Sequence, residues 1–290
     1  MKYILNCFNL IGDSFYLLAV VKKYIADNPG TVEALVVHPG LAWEMYSRAL
    51  GDSIPMFVQP EEAQAAYPNA TVLILSAGQA ADISFNPKNM VDNRQLHISE
   101  CWAKILGFEM HAAVDTSWQY YGEDELPRTF IAISPYSRSC TRHSTGIPNK
   151  TLPANKWEYL IRYLRRQGLP IKVIAGPDDL PLDCSIPLND YFTAKNLQEL
   201  EHFLKSCALL MSVDNGLGHL ASALHTPMIS IWPKVSAIDF IAPRFGKRTT
   251  LIINVDPNKI TPAELLTPTR AYTKILLNGV NSYEEILREG

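Results

Sequence analysis

Short apolar runs alternate with longer amphipathic stretches along most of the chain, the pattern imposed by βα repeats on a parallel sheet. Residues 2–8 predict a first strand, 9–14 a glycine-bearing turn, and 15–26 a helix with Leu17, Leu18, Val20, Val21 and Ile25 on one stripe. Asn28, Pro29 and Gly30 stop that helix. Strands are then predicted over 32–37, 54–58 and 71–75, and helices over 41–50, 61–67 and 97–106. The stretch 79–93, with Pro87 and several Asn and Asp residues, predicts a loop.

A polar, proline-bearing segment over 121–128 reads as a linker, after which a second series begins. Its strands fall over 130–133, 171–175, 209–213, 228–232 and 250–253. Its helices fall over 155–167, 196–206, 216–224, 261–278 and 282–288, and a long polar loop fills 134–151. The expected architecture is α/β: two Rossmann-like domains, 1–124 and 125–278, with parallel sheets facing across a cleft, and a terminal helix over 279–290 that can pack back on the first domain. Ligands of open parallel sheets bind beyond the carboxyl ends of the strands. The residues that directly follow strands are therefore the candidates for chemistry.

Composition narrows the picture only slightly. At 290 residues, 47% apolar and 19% charged, the chain is an ordinary globular one, and a net charge of −3 gives no case for wrapping nucleic acid. The five cysteines, Cys7, Cys101, Cys140, Cys184 and Cys207, are scattered and never spaced as a pair around two residues. They predict reduced thiols in a cytoplasmic protein rather than disulfides or a zinc site. The opening residues read as a buried strand rather than a signal peptide, and no run of about 18 apolar residues predicts a membrane span.

Four post-strand segments carry candidate chemistry. Asp13, in Gly12-Asp13-Ser14, follows the first strand and is either a general base or a helix cap. The loop from Ser134 through Pro135, Tyr136, Ser137 and Arg138 to Arg142, His143 and Lys150 suits an anionic ligand, or is a solvated loop. Asp178 and Asp179, after Gly176, either meet ribose hydroxyls or cap a turn. Asp214, Asn215, Gly216 and His219 lie where a buried strand runs into a small-residue helix, whose first N–H groups and dipole suit a phosphate. The alternative there is that Asp214 caps the helix and His219 is a satisfied polar residue. The third glycine of the dinucleotide fingerprint, the phosphate-loop motif, HExxH and GxSxG are all missing, so no tightly held metal or cofactor is expected.

Taken together, these segments resemble the ADP-heptose:lipopolysaccharide heptosyltransferases, glycosyltransferase family nine, which have the GT-B fold. The opening NLIGDSFYLLAVVKKYIADNPGTVEALVV is similar to the family's, whose aspartate after glycine is the proposed catalytic base; the resemblance gives that role to Asp13. Lys150, Pro153 and Trp157 match the spacing of the family's lysine, proline and tryptophan, and that lysine offsets charge on the leaving group. IAGPDD resembles the strand, glycine and acid that meet the nucleoside, with Asp178 the better match and Asp179 the fallback. SVDNGLGHLASAL resembles the family's most specific motif, with Asn215 in place of the usual threonine. Ser134, Tyr136 and Arg138 stand where the family's loop meets donor phosphate, although the hydroxyl pair that opens that loop is replaced here.

The resemblance implies inverting, metal-independent transfer of a sugar, a heptose by analogy, from an ADP-sugar to a glycan or glycolipid acceptor such as lipopolysaccharide core. It also implies a cytoplasmic enzyme able to touch the inner membrane surface. The chain is short for the family, and the shortfall lies in the amino-terminal domain that shapes the acceptor site. A GT-B nucleotide-sugar epimerase or hydrolase, and a non-catalytic nucleotide-sugar-binding protein, are the alternatives.

Overall fold

In the computed structural model the described residues are 1–91, 94–111, 118, 126–137, 150, 152–176, 179, 182, 186–233, 238–242, 250–256 and 259–278. The expected terminal helix over 279–290 lies outside them, as does most of the 134–151 loop. The chain divides into two compact units, one of Met1–Tyr120 with Ala237–Ala242, the other of Tyr121–Ser236 with Pro243–Gly290.

The first unit is built on a four-stranded sheet. β1 (Tyr3–Cys7) pairs in parallel with β2 (Val32–Val37) on one side and β4 (Thr71–Ile74) on the other; β3 (Met56–Phe57) extends the sheet beyond β2. Helices α1 (Ile11–Asp27), α2 (Leu41–Leu50), α3 (Pro60–Ala66), α4 (Ala77–Ser84) and α5 (Ile98–Ile105) connect and cover the strands. β1 is central because its side chains are needed on both faces: Ile4 packs with Ala34, Val36, Ala63 and Ala70, while Leu5 and Cys7 are also fully buried.

Two sequence expectations change here. The turn expected over 9–14 is mostly helix: α1 starts at Ile11, the Ser14 amide donating to the Leu10 carbonyl at 3.0 Å. Asp13 thus lies in the helix's first turn, where the helix dipole favours a negative charge, and Leu10 rather than an acid is the N-cap. The loop expected over 79–93 begins inside α4, because Ser76 accepts from the Gln79 amide and the Gln79 side chain bonds back to the Ser76 amide. That reciprocal capping satisfies two orphan N–H groups and offsets the weak helix propensity of the segment.

The carboxyl ends of β1 and β4 are tied by Asn9. Its side-chain amide donates to the Leu75 carbonyl at 2.8 Å, and its own carbonyl accepts from Ser14 Oγ at 3.2 Å. Asn9 is buried, so the tie is shielded from water.

The second unit carries six parallel strands in the order β10-β9-β8-β5-β6-β7. They are β5 (Phe130–Ser134), β6 (Ile171–Ile174), β7 (Tyr191–Phe192), β8 (Cys207–Val213), β9 (Met228–Pro233) and β10 (Thr250–Val255). The two-residue β7 went unseen in the sequence because it is too short to show a period. Helices α6 (Ala154–Arg165), α7 (Leu197–Lys205), α8 (Gly216–Ala223) and α10 (Pro262–Asn278) belong to this unit, and α9 (Ile238–Ile241), also unforeseen, belongs to the first. All seven residues of β8 are buried, as a strand covered on both faces requires. Trp157, Leu160, Ile161 and Leu164 of α6 pack into the core with Ile131, Ile133, Val173, Leu209 and Met211. Cys7, Cys101 and Cys207 are free and buried, and burial pushes each thiol up to about 12, so they act as core side chains.

Replacing Asn9 by alanine should lower the unfolding free energy by about 1 to 2 kcal/mol, since the Leu75 carbonyl loses a buried donor. Urea unfolding should show an earlier midpoint with an unchanged slope; an unmoved midpoint would mean that the tie contributes nothing.

Candidate functional site

In the second sheet the strand order reverses between β5 and β8: β6 lies beyond β5 on one side, and β9 beyond β8 on the other. Chains leaving adjacent strands there diverge to opposite faces and open a crevice at the carboxyl ends. Ser134, the last residue of β5, sits opposite Ser212 of β8 in register. Two residues beyond Ser212 come Asp214 and Asn215, and α8 begins at once.

Asn215 is the N-cap of α8. Its Oδ1 accepts from the Gly218 amide at 3.1 Å. Its Nδ2 donates to Ser134 Oγ at 2.8 Å and to the Tyr136 carbonyl at 2.8 Å. A primary amide has two N–H donors and one carbonyl, so all three functions are used inside the protein. In this arrangement Asn215 braces the β5 exit against α8. Ser134, almost fully buried, is the other half of that brace. Helix geometry leaves the N–H groups of Gly216 and Leu217 without intrahelical carbonyls, and both residues are partly exposed.

Lys150 Nζ lies 2.8 Å from Asp214 Oδ2, with the carboxylate side chain only 5% exposed and the lysine 22%. The pair brings the end of the long loop to the end of β8. His219, one turn into α8, is buried beside both charges. Burial pushes its imidazole down to about 4; the Asp214 carboxylate pulls it up in part, and the Lys150 ammonium pushes it further down. His219 is thus neutral at pH 7, and serves as a polar N–H or N: group rather than as a cation.

A set of hydrogen-bonded side chains lies behind this helix tip. Trp232 Nε1 donates to Ser230 Oγ at 2.8 Å, Ser212 Oγ donates to Ser230 Oγ at 3.1 Å, and the Trp232 ring meets His219 edge-on at 6.2 Å. A Cβ on Gly218 would come within 3.2 Å of Ser212 Oγ, so glycine lets α8 lie close on β8. The signal was present as two serines within otherwise apolar strands, MSV and ISIW.

The remaining candidates fall elsewhere. Asp179 accepts the Gly176 amide at 2.6 Å and closes the turn after β6, which is the capping alternative for that residue. Asp178 and Arg138 lie outside the described residues. Asp13 is in the first unit, partly exposed, at the carboxyl end of a β1 whose neighbours β2 and β4 make the same kind of switch point. Lys150, Ser134, Tyr136, Asp214, Asn215, Gly216 and His219 are brought together; Asp13 is positioned independently by α1. Among the described residues no group of three or more His, Cys, Asp or Glu could hold a metal ion, and no helix is long and apolar enough to cross a membrane.

A family model described as glycosyltransferase family 9 (heptosyltransferase) matches residues 111–259, which carry the whole Lys150–His219 cluster and more than half of the chain. Lipopolysaccharide heptosyltransferase 1 of Salmonella typhimurium is 27% identical over 165 residues, 52% of this chain and 49% of that protein. The chain thus spans about half the length of this curated relative. Among solved structures, Escherichia coli ADP-heptose lipopolysaccharide heptosyltransferase II is similar with a TM-score of 0.61 at 15% identity, covering 96% of this chain and 99% of that one. E. coli heptosyltransferase WaaC, solved with ADP, has a TM-score of 0.58 at 15% identity, covering 94% and 100%. These two likenesses concern the fold, which is the two-unit α/β architecture that the sequence pattern predicts. With the family model spanning every element that builds the strand-end cluster, this chain belongs to glycosyltransferase family 9, the heptosyltransferases.

Proposed function

We propose that the chain is a glycosyltransferase that moves a sugar, a heptose, from an ADP-sugar to a glycan acceptor of the lipopolysaccharide-core type. The reaction is an inverting single displacement. The observation that carries this reading is the cluster of Lys150, Asp214 and the α8 tip at the carboxyl ends of β5 and β8, in the segment matched by the family model.

In this mechanism the acceptor hydroxyl gives its proton to Asp13 and its oxygen attacks the anomeric carbon. The bond from that carbon to the diphosphate oxygen breaks, and both electrons leave with the diphosphate. The charge that grows there is met by the Lys150 ammonium, which Asp214 holds in place, and by the Gly216 and Leu217 N–H groups. Fixed donors of this kind contribute on the order of 3 kcal/mol each to a transition state. Being neutral at pH 7, His219 can offer this spot a ring N–H dipole. Charge is met without a metal ion in this scheme. The same reading puts the chain in the cytoplasm, in peripheral contact with the membrane face that carries the acceptor.

The test is transfer from ADP-heptose to a deacylated core acceptor, with EDTA present. Wild type should transfer, and Asp13→Asn should lower kcat by roughly 10² to 10⁴ while leaving ADP affinity unchanged. Lys150→Gln should lower kcat by about 10² to 10³, with Lys150→Arg retaining more activity than Gln. Sugar release without transfer would favour the hydrolase alternative, and ADP-sugar binding without turnover the non-catalytic one.

His219 also makes stability depend on pH. Its folded value lies below the unfolded one, so the unfolded chain binds more protons between about pH 6.5 and 4. The His219 contribution to stability is therefore complete above about pH 6.5 and is lost as the pH drops towards 4. Thermal melts from pH 7 to 5 should show this loss, and His219→Gln should flatten it; identical slopes would refute the assignment.

A further inference from the structure

The family's threonine, whose place Asn215 takes, cannot do what Asn215 does here: a hydroxyl has one donor, while the Asn215 amide reaches two acceptors on a different strand's exit loop and caps its own helix. The three contacts join the end of β5, the loop at Tyr136 and the first turn of α8 into one unit across the switch point. Both distances to the β5 side are 2.8 Å, and the Ser134 oxygen it meets is buried, so water competes poorly for the bond. The neighbouring residue in sequence, Asp214, holds Lys150 from the same strand end. Whatever fixes Asn215 therefore fixes the spacing between the ammonium, the β5 exit loop and the free N–H groups of Gly216 and Leu217.

We infer that Asn215 is a positioning residue for the diphosphate of the donor, acting through its clasp on Ser134 and Tyr136 rather than by touching the ligand. The inference rests on the transferase reading above. Its bland competitor is a helix cap and nothing more, since asparagine is a favoured N-cap. Serine separates the two, because its hydroxyl keeps the cap on the Gly218 amide and cannot reach two acceptors across the strands.

The experiment compares wild type, Asn215→Ser, Asn215→Ala and Ser134→Ala by amide hydrogen exchange of the segment 130–137 without ligand, and by steady-state transfer. The expected result is faster exchange across 134–137 in both Asn215 variants, with the KM for the ADP-sugar raised about tenfold and kcat changed less than threefold. Asn215→Ser should melt above Asn215→Ala, because it keeps the cap, yet share its raised KM, and Ser134→Ala should show a smaller rise in the same direction. Rescue of KM by Asn215→Ser would make Asn215 a cap only and overturn the inference. Unchanged exchange and KM in Asn215→Ala would overturn it too, with the transferase reading intact. Faster exchange in a chain whose wild type neither transfers nor binds ADP would overturn the transferase reading, and with it the role towards the donor.

Discussion

The contact between Lys150 and the buried Asp214 is the constraint on which the strand-end cluster of the second unit depends. An acid almost sealed from water is costly unless a cation and other donors meet it, and removing one partner of such a pair is far worse than never having had it. Asp214 can be there because β8 is fully buried and delivers it at its carboxyl end, where the crevice of the switch point opens. Lys150, which lies between β5 and α6 in the chain, stands at this strand end. The pair thereby couples a sequence separation of more than sixty residues to one strand end. The same local charge set acts on His219, whose burial outweighs the pull of the carboxylate and keeps the ring neutral.

Around that pair the helix tip is built from small residues for steric reasons. Gly218 lets α8 approach β8 until Ser212 is in contact distance, and the Ser212–Ser230–Trp232 chain fills the space beneath with satisfied polar groups. A Cβ at this position would press on Ser212 Oγ at 3.2 Å, so a neighbour would have to give way. The first unit uses a similar device with different residues: Asn9 ties β1 to the end of β4 and holds the first turn of α1, which carries Asp13. In both units, then, an asparagine just beyond a central strand, buried in the first and half-buried in the second, bonds across to the exit of a neighbouring strand.

Much of this was legible in the sequence. The parallel strands announced themselves as short apolar runs because both faces of each are covered, and Asp214, Gly216 and His219 stood out because they directly follow such a run. What was not legible depended on side-chain bonding. The role of Asn215 follows from three hydrogen bonds, two of which reach residues about eighty positions away, and no local pattern predicts them. Likewise α4 was hidden because a reciprocal cap at Ser76 and Gln79 overrode a loop-like composition. The bond by which Asp179 accepts the Gly176 amide is likewise a side-chain detail that the sequence IAGPDD does not predict.

The most direct measurement is a crystal structure of the full chain with ADP bound. Diphosphate density within hydrogen-bond distance of Lys150 Nζ and of the Gly216 and Leu217 amides is the predicted result. Clear density for ADP at any other place, with the Lys150–Asp214 cluster holding no phosphate, would contradict the proposed site.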